Sequence, residues 1–305
     1  MTFRIITADE RMQRPPGIKG VILGPAKIGK TSLLWTLPPE DTLFLDMEAG
    51  DLSVDGWGGD SIDVYKAAQD MGIPVWQFLQ AFACWATGPS PTVSDPNKPY
   101  SAQHFQYACS VLGDPVPFRA KYATLFVDSI TVASRACFTW SKTQPEAFSD
   151  KTGKPNILGA YGLLGIEMVN WLTQLQHCPG KSVWFLGILE QKTDDFGRKT
   201  WEPQLIGQSA SLALPGIVDQ IVTMAEIDFG AEGKHRAFVT QLGNQWGFPA
   251  GDRSGQLDQI EEPHLGKLMA KIAAKNRARA LTQIIPAAAP VAQPVPAVPV
   301  VKAQE

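Results

Sequence analysis

Cysteine is scarce in this chain and never closely spaced: Cys84, Cys109, Cys137 and Cys178 are the only four, with no C-x-x-C pair among them. That pattern excludes a disulfide framework and a structural zinc site, and it suits a reducing compartment. The four histidines, His104, His177, His235 and His264, stand apart with no acid or cysteine at ligand spacing. Long apolar runs are missing too. The longest, residues 183–189, falls far short of the ~20 residues of a membrane-crossing helix. Residues 1–14 lack the apolar centre of an export signal. A cytoplasmic protein with no membrane partner is the expectation. Neither sign of charge prevails, since 27 Lys and Arg face 30 Asp and Glu for a net charge of -3. The chain as a whole therefore has no pull on polyanions, and any nucleic-acid contact must come from a local patch.

What is present is a composition for a substantial core: 44% of the 305 residues are hydrophobic and 19% charged. That length holds one large α/β domain or two small ones, because single cores stop growing at roughly 250 to 300 residues. Composition shifts sharply only near the end, where Pro286, Pro290, Pro294, Pro296 and Pro299 alternate with Ala and Val. Proline at that density removes backbone donors and favours polyproline II, so residues 282–305 read as a disordered tail. Residues 1–16 read as an extension and 17–281 as one domain. Within it, short β-rich apolar runs alternate with helix-period segments, the signature of a mainly parallel sheet with helices on both faces. Strands are expected at 18–23, 42–46, 124–128, 182–189, 217–227 and 235–242. Helices are expected at 30–37, 74–86, 102–112, 130–140, 161–176 and 264–279. Trp35, Trp171 and Trp184 fall in these patterns and read as core. The long crossing at about 56–121 contains Gly-Pro-Ser-Pro at 88–91 and reads as an insertion on the domain, its helical pieces being too short to enclose a separate core.

The strongest local signal is Gly24-Pro25-Ala26-Lys27-Ile28-Gly29-Lys30-Thr31, which fits G-x-x-x-x-G-K-[ST], follows an apolar strand and opens a helical segment that continues with Ser32. Its glycines let successive amides point at phosphate oxygens. Lys30 would neutralise β and γ oxygens, and Thr31 would offer its hydroxyl to Mg²⁺. Lys27 occupies a variable position and reads as solvated. Turnover needs more than binding. The apolar strand ending at Asp128 supplies a Walker B acid for water-mediated Mg²⁺ contact, or else a cap for the helix at Ile130. A second strand ends in Asp46-Met47-Glu48, where alternate side chains share a face, so both acids turn towards the same edge. A carboxylate there orients or deprotonates an attacking water; an exposed acidic turn is the plain alternative.

The order of these motifs resembles the RecA-like P-loop ATPase core, and within it the phage-encoded RecA-like ATPases of the single-strand-annealing recombination group. Two further features carry the likeness, which spans roughly residues 17–275: the strand at 183–189 runs into Glu190-Gln191, and Gly251-Asp252-Arg253-Ser254-Gly255 precedes the final helix. The resemblance implies ATP and Mg²⁺ as cofactors, Lys30 and Thr31 on phosphate and metal, and Asp128 as the Walker B acid. It further implies Glu48 as the catalytic glutamate and Gln191 as a γ-phosphate sensor. It also implies a homo-oligomeric ring or filament, single-stranded DNA and a single-strand-binding protein as partners, and a host cytoplasm. The long insertion before Asp128 departs from the minimal core.

A chain without net positive charge needs a local DNA surface. The loop after Gln191 offers Lys192, Arg198 and Lys199 with Trp201 beside them, cations for phosphates and a π-face for bases, although Asp194 and Asp195 dilute the charge. The segment 141–159, with Lys142, Lys151 and Lys154, is a second candidate. Lys267, Lys271, Lys275 and Arg279 line one face of the last helix, where they also complement its dipole. Arg253, between two glycines, is placed to reach a neighbouring subunit's γ-phosphate as a trans finger. Three functions compete: an ATP-hydrolysing protein acting on single strands, a nucleotide-gated DNA-binding module with little turnover, and a small-molecule P-loop kinase. The kinase lacks support because no arginine-rich lid is evident.

Overall fold

A computed structural model describes residues 5–13, 17–193, 196–197 and 199–274. The elements run α1 (Ala8–Gln13), β1 (Lys19–Gly24), β2 (Thr42–Asp46), β3 (Asp60–Asp63), α2 (Val64–Asp70), α3 (Val75–Thr87), α4 (Ala102–Leu112), α5 (Pro115–Lys121) and β4 (Thr124–Asp128). They continue with α6 (Ile130–Ser141), α7 (Ile157–Gln176), β5 (Ser182–Thr193), β6 (Lys199–Pro203), α8 (Ser209–Ile217), β7 (Gln220–Asp228), β8 (Lys234–Val239), β9 (Gly251–Asp252), β10 (Ile260–Glu261) and α9 (Leu265–Ala273).

The strands form one sheet in the order β10-β8-β7-β1-β5-β4-β2-β3, with β6 paired to β5 and β9 to β7. From β7 to β3 the neighbours are parallel; β8, β10, β6 and β9 pair antiparallel. Such a sheet is buried on both faces, which is why its strands read as near-continuous apolar runs. Alternation sends Val21, Leu23, Leu125, Val127, Val183 and Phe185 to the face packed by α3 and α7. Ile22, Phe44, Phe126, Trp184, Leu186 and Val222 go to the other, which Leu33, Leu34, Leu265 and Leu268 cover. The carboxyl ends line up, since Asp46 is level with Asp128, Asp128 with Leu186, and Gly24 with Ile188. Strand β5 separates β1 from β4. Two antiparallel hairpins overrun that edge: β5 continues to Thr193 against β6, and β7 continues to Asp228 against β8.

The expected helix at 30–37 is instead a 3₁₀ turn, Thr31–Thr36. With three residues per turn, Leu34 and Leu37 share one column and point inward beside Leu33, while Trp35 falls on the outer column. Trp35 is consequently 51% exposed rather than core, its indole donating to the Ser53 carbonyl at 3.2 Å; Trp171 and Trp184 are fully buried as expected. The strand expected at 217–227 starts only at Gln220 because 209–217 is helical despite Pro215. The segment 56–121 contributes β3 to the sheet edge, and its α3 places Trp76, Phe78, Leu79 and Phe82 in the main core, Trp76 against Trp171 at 5.8 Å. Lys275, Arg279 and the expected tail at 282–305 lie outside the described residues, as do Asp194, Asp195 and Arg198.

Candidate active site

Strand β1 ends at Gly24, and the loop that follows curls because Lys27 (φ 65°) and Gly29 (φ 100°) take positive φ while Ala26, Ile28 and Lys30 do not. Such alternation turns successive amides towards one centre, a geometry that cradles anions. The amides of Ala26, Lys27 and Gly29 have no protein acceptor among the described residues. Gly24 is required by space, since a Cβ there would stand 2.6 Å from the Met224 carbonyl oxygen, and Gly29 by its φ of 100°, which a side chain strains. Ala26 and Lys27 are exposed, and Pro25, Ile28 and Ser32 are half-buried. Lys30 is only 9% exposed; its Nζ folds back over the loop and donates to the carbonyls of Gly24 (3.0 Å) and Pro25 (2.9 Å). Burial lowers its pKa, and the carboxylates of Asp128 and Glu48 oppose that shift.

Even-numbered side chains of β2 and β4 share the face on which the 3₁₀ turn packs, so Asp128 meets Thr31 across the sheet edge. The Thr31 hydroxyl donates to Asp128 Oδ2 at 2.5 Å. Asp128 is 2% exposed, and its pKa is pushed up to about 7, chiefly by burial and further by Glu48 and Asp46, against the Thr31 hydrogen bond and Lys30. Ser129, not Asp128, caps α6, through a 3.4 Å bond from the Val132 amide. The two acids at the end of β2 both lie beside Asp128 but have different partners. Asp46 turns back into its own loop, accepting from the amides of Glu48 (2.9 Å) and Gly50 (3.0 Å), while the exposed Glu48 accepts from the Ser129 hydroxyl. Asp46 therefore builds the turn that presents Glu48.

The donor set fits a magnesium nucleotide. Mg²⁺ takes hard oxygen ligands and is usually held by one or two carboxylates together with substrate phosphates; Thr31 Oγ1 and the Asp128 carboxylate are that kind of partial shell. Among the described residues no group of three or more His, Cys, Asp or Glu side chains is gathered to hold a metal without such a substrate.

Gln191 is exposed, three residues past Ile188, and pairs with Trp201 in the β5–β6 hairpin; the side-chain hydrogen bonds of Lys30, Thr31 and Asp128 do not include it. Lys192 is engaged by Glu202 at 2.9 Å and Glu190 at 3.4 Å. Lys199 is exposed, whereas Trp201 is half-buried with its ring 5.1 Å from that of Phe248. The ring that the hairpin tip exposes is Phe196, at 82%. Arg253 pairs with Asp219 at 2.7 Å beside β9, which faces the amino-terminal end of β7, the sheet edge opposite the phosphate loop. On α9, Lys267 pairs with Glu262, and Lys271 with Asp258 and Glu261. Two site residues escape a reading of the sequence. Ser129 carried a weak signal, as a hydroxyl next to the strand-end acid. Arg236 carried none, since it reaches the loop from a strand two hundred residues on, its Nη1 donating to the Ile28 carbonyl at 3.2 Å.

The family model described as AAA domain matches residues 16–254, a span running from before β1 to just past β9. The chain belongs to the AAA-domain family. Its AAA domain contains the phosphate loop, Asp128 and both hairpins, and it is a P-loop ATPase domain. No curated protein matches the chain. Among solved structures, an ATPase from the type III secretion system of pathogenic bacteria is similar over 68% of this chain and 52% of its own, at 12% identity and a TM-score of 0.32. The chain thus spans about half the length of that protein, and a likeness of this size carries no argument. No helix among the described residues is long and apolar enough to cross a membrane.

Proposed function

We propose that this AAA domain binds ATP with Mg²⁺ in the Gly24–Thr31 loop and hydrolyses it, with Glu48 as the water-activating base. The observation that carries the reading is the 2.5 Å contact between Thr31 and Asp128 directly beneath a loop whose amides converge and whose Lys30 lies folded over it. When bound, Mg²⁺ supplies charge neutralisation at the phosphates. The protein's part is to exchange the carbonyl partners of Lys30 for phosphate oxygens and to release the Asp128 proton as the metal takes its place. The Ser129 hydroxyl donates to Glu48 Oε1 and stabilises the charged carboxylate, which lowers its basicity towards water while leaving Oε2 open to it. That contact specifically favours a second reading, a nucleotide-gated module with little turnover until a partner frees Glu48.

Single-stranded DNA, assembly into a ring or filament and a role in phage recombination extend the proposal. They rest on the resemblance in the motif order and on the β5–β6 hairpin. Strand β5 runs beside the phosphate loop and out to a tip carrying Phe196 and the exposed Lys199, linking the nucleotide edge to a surface with a ring and a cation. Steady-state ATP hydrolysis with and without an oligonucleotide separates the readings. Stimulated turnover that Phe196→Ala diminishes supports hydrolysis coupled to single strands. Binding of ATP without turnover favours the gated module, and turnover indifferent to DNA removes the DNA partner.

A further inference from the structure

The β7–β8 hairpin overruns the sheet edge beside the phosphate loop, and Arg236 stands on it opposite Glu226, two residues beyond Met224, whose carbonyl lies against Gly24. Its guanidinium does not pair with Glu226 across the hairpin. It reaches back instead, so that Nη1 donates to the Ile28 carbonyl at 3.2 Å and lies against the bare Cα of Gly29. Its backbone is anchored by pairing with β7 at Glu226, and Ala237, Phe238 and Val239 follow it into the core. We propose that Arg236 is a positioning residue of the phosphate loop, fixing the Ile28–Gly29 peptide with its amide turned into the anion cradle. This rests on the nucleotide reading above and deepens it.

The argument is one of peptide geometry. A trans peptide is planar, with its carbonyl and its N–H pointing to opposite sides. Whatever holds the Ile28 carbonyl outward therefore aims the Gly29 amide inward. At φ 100° Gly29 has no steric preference of its own for that orientation, as glycine populates positive and negative φ about equally readily. An external donor can select it, and the exposed Arg236 guanidinium is the side chain that reaches the Ile28 carbonyl. The anchor also explains why the seventh strand's hairpin extends past the edge: a shorter β8 would leave no residue level with the loop. The guanidinium adds a second cation near the cradle, opposite in chain position to Lys30.

The test is calorimetric binding of ATP and ADP with Mg²⁺ to wild type, Arg236→Ala, Arg236→Gln and Arg236→Lys, together with melting of each protein without nucleotide and kcat and KM for hydrolysis. The alanine variant is expected to bind both nucleotides about tenfold more weakly, the scale of one net hydrogen bond from a charged donor. Its melting temperature without nucleotide should be essentially unchanged, and the loss should show in KM more than in kcat. Glutamine, which keeps a donor for the Ile28 carbonyl but no charge, should recover most of the affinity. Wild-type affinity in the folded alanine variant overturns the proposal. So does rescue by lysine without rescue by glutamine, which would mean that charge acts directly on the nucleotide. Wild-type protein that binds neither nucleotide fails the site reading itself, a result distinguishable from both.

Discussion

Asp128→Asn tests how the site balances stability against metal binding. The carboxyl is almost fully buried, and its pKa is pushed from an ordinary 3.8 up to about 7, mainly because burial penalises the charged form. The folded state keeps the proton to about pH 7, whereas the unfolded chain releases it near 3.8. Between those values the native state binds the extra proton, so the stabilisation is complete at low pH and is lost as pH rises through the window. At 1.36 kcal/mol per pH unit, holding that carboxylate charged at pH 8 costs the fold about 4 kcal/mol. The isosteric amide removes the cost and still accepts from Thr31. Urea unfolding without nucleotide across a pH series is the assay. The variant should match wild type near pH 4 and exceed it by a few kcal/mol at pH 8, with the gap opening between pH 4 and 7. Added Mg²⁺ and ATP should reverse the order, because only the carboxylate holds the metal. Parallel pH curves for the two proteins, or a wild type more stable than the variant at pH 8 without nucleotide, would refute the reasoning.

Two other changes probe the Glu48 contact. Glu48→Gln should retain ATP affinity and slow hydrolysis by about 10² or more in single-turnover assays, the scale of a lost general base. Ser129→Ala removes both the cap of α6 and the partner of Glu48; it should cost about 1 kcal/mol in urea unfolding, yet raise turnover in the absence of DNA. Lower basal turnover in that variant would show that Ser129 aids the chemistry and does not restrain it.

The phosphate loop was legible because its chemistry is contiguous: eight residues, a strand before and a helical turn after. Asp128 was legible because an apolar strand ending in an acid is a local pattern whose place at the sheet edge follows from the parallel topology. The division of labour between Asp46 and Glu48 was not. It depends on Asp46 accepting the amides of Glu48 and Gly50, a loop conformation with Ala49 at φ 53° that no alternation rule anticipates. Trp35 was misplaced for a related reason, since a 3.6-residue period was applied to a segment that coils with three. Helix α8 hid behind Pro215-Gly216, a pair that reads as a turn but here lies in the last helical turn. Arg236 was out of reach because its role exists only once β7 lies beside β1. The charged loop after Gln191 showed Lys192 but not its ion pair with Glu202, which forms across the hairpin.

The central claim is that the Gly24–Thr31 loop holds a magnesium nucleotide through Lys30. Titration of a fluorescent ATP analogue with and without Mg²⁺, in wild type and in Lys30→Ala, tests it most directly. The account expects saturable, Mg²⁺-strengthened binding by wild type, and loss of that binding in a variant that melts at a similar temperature. Equal affinity in the two folded proteins would contradict it.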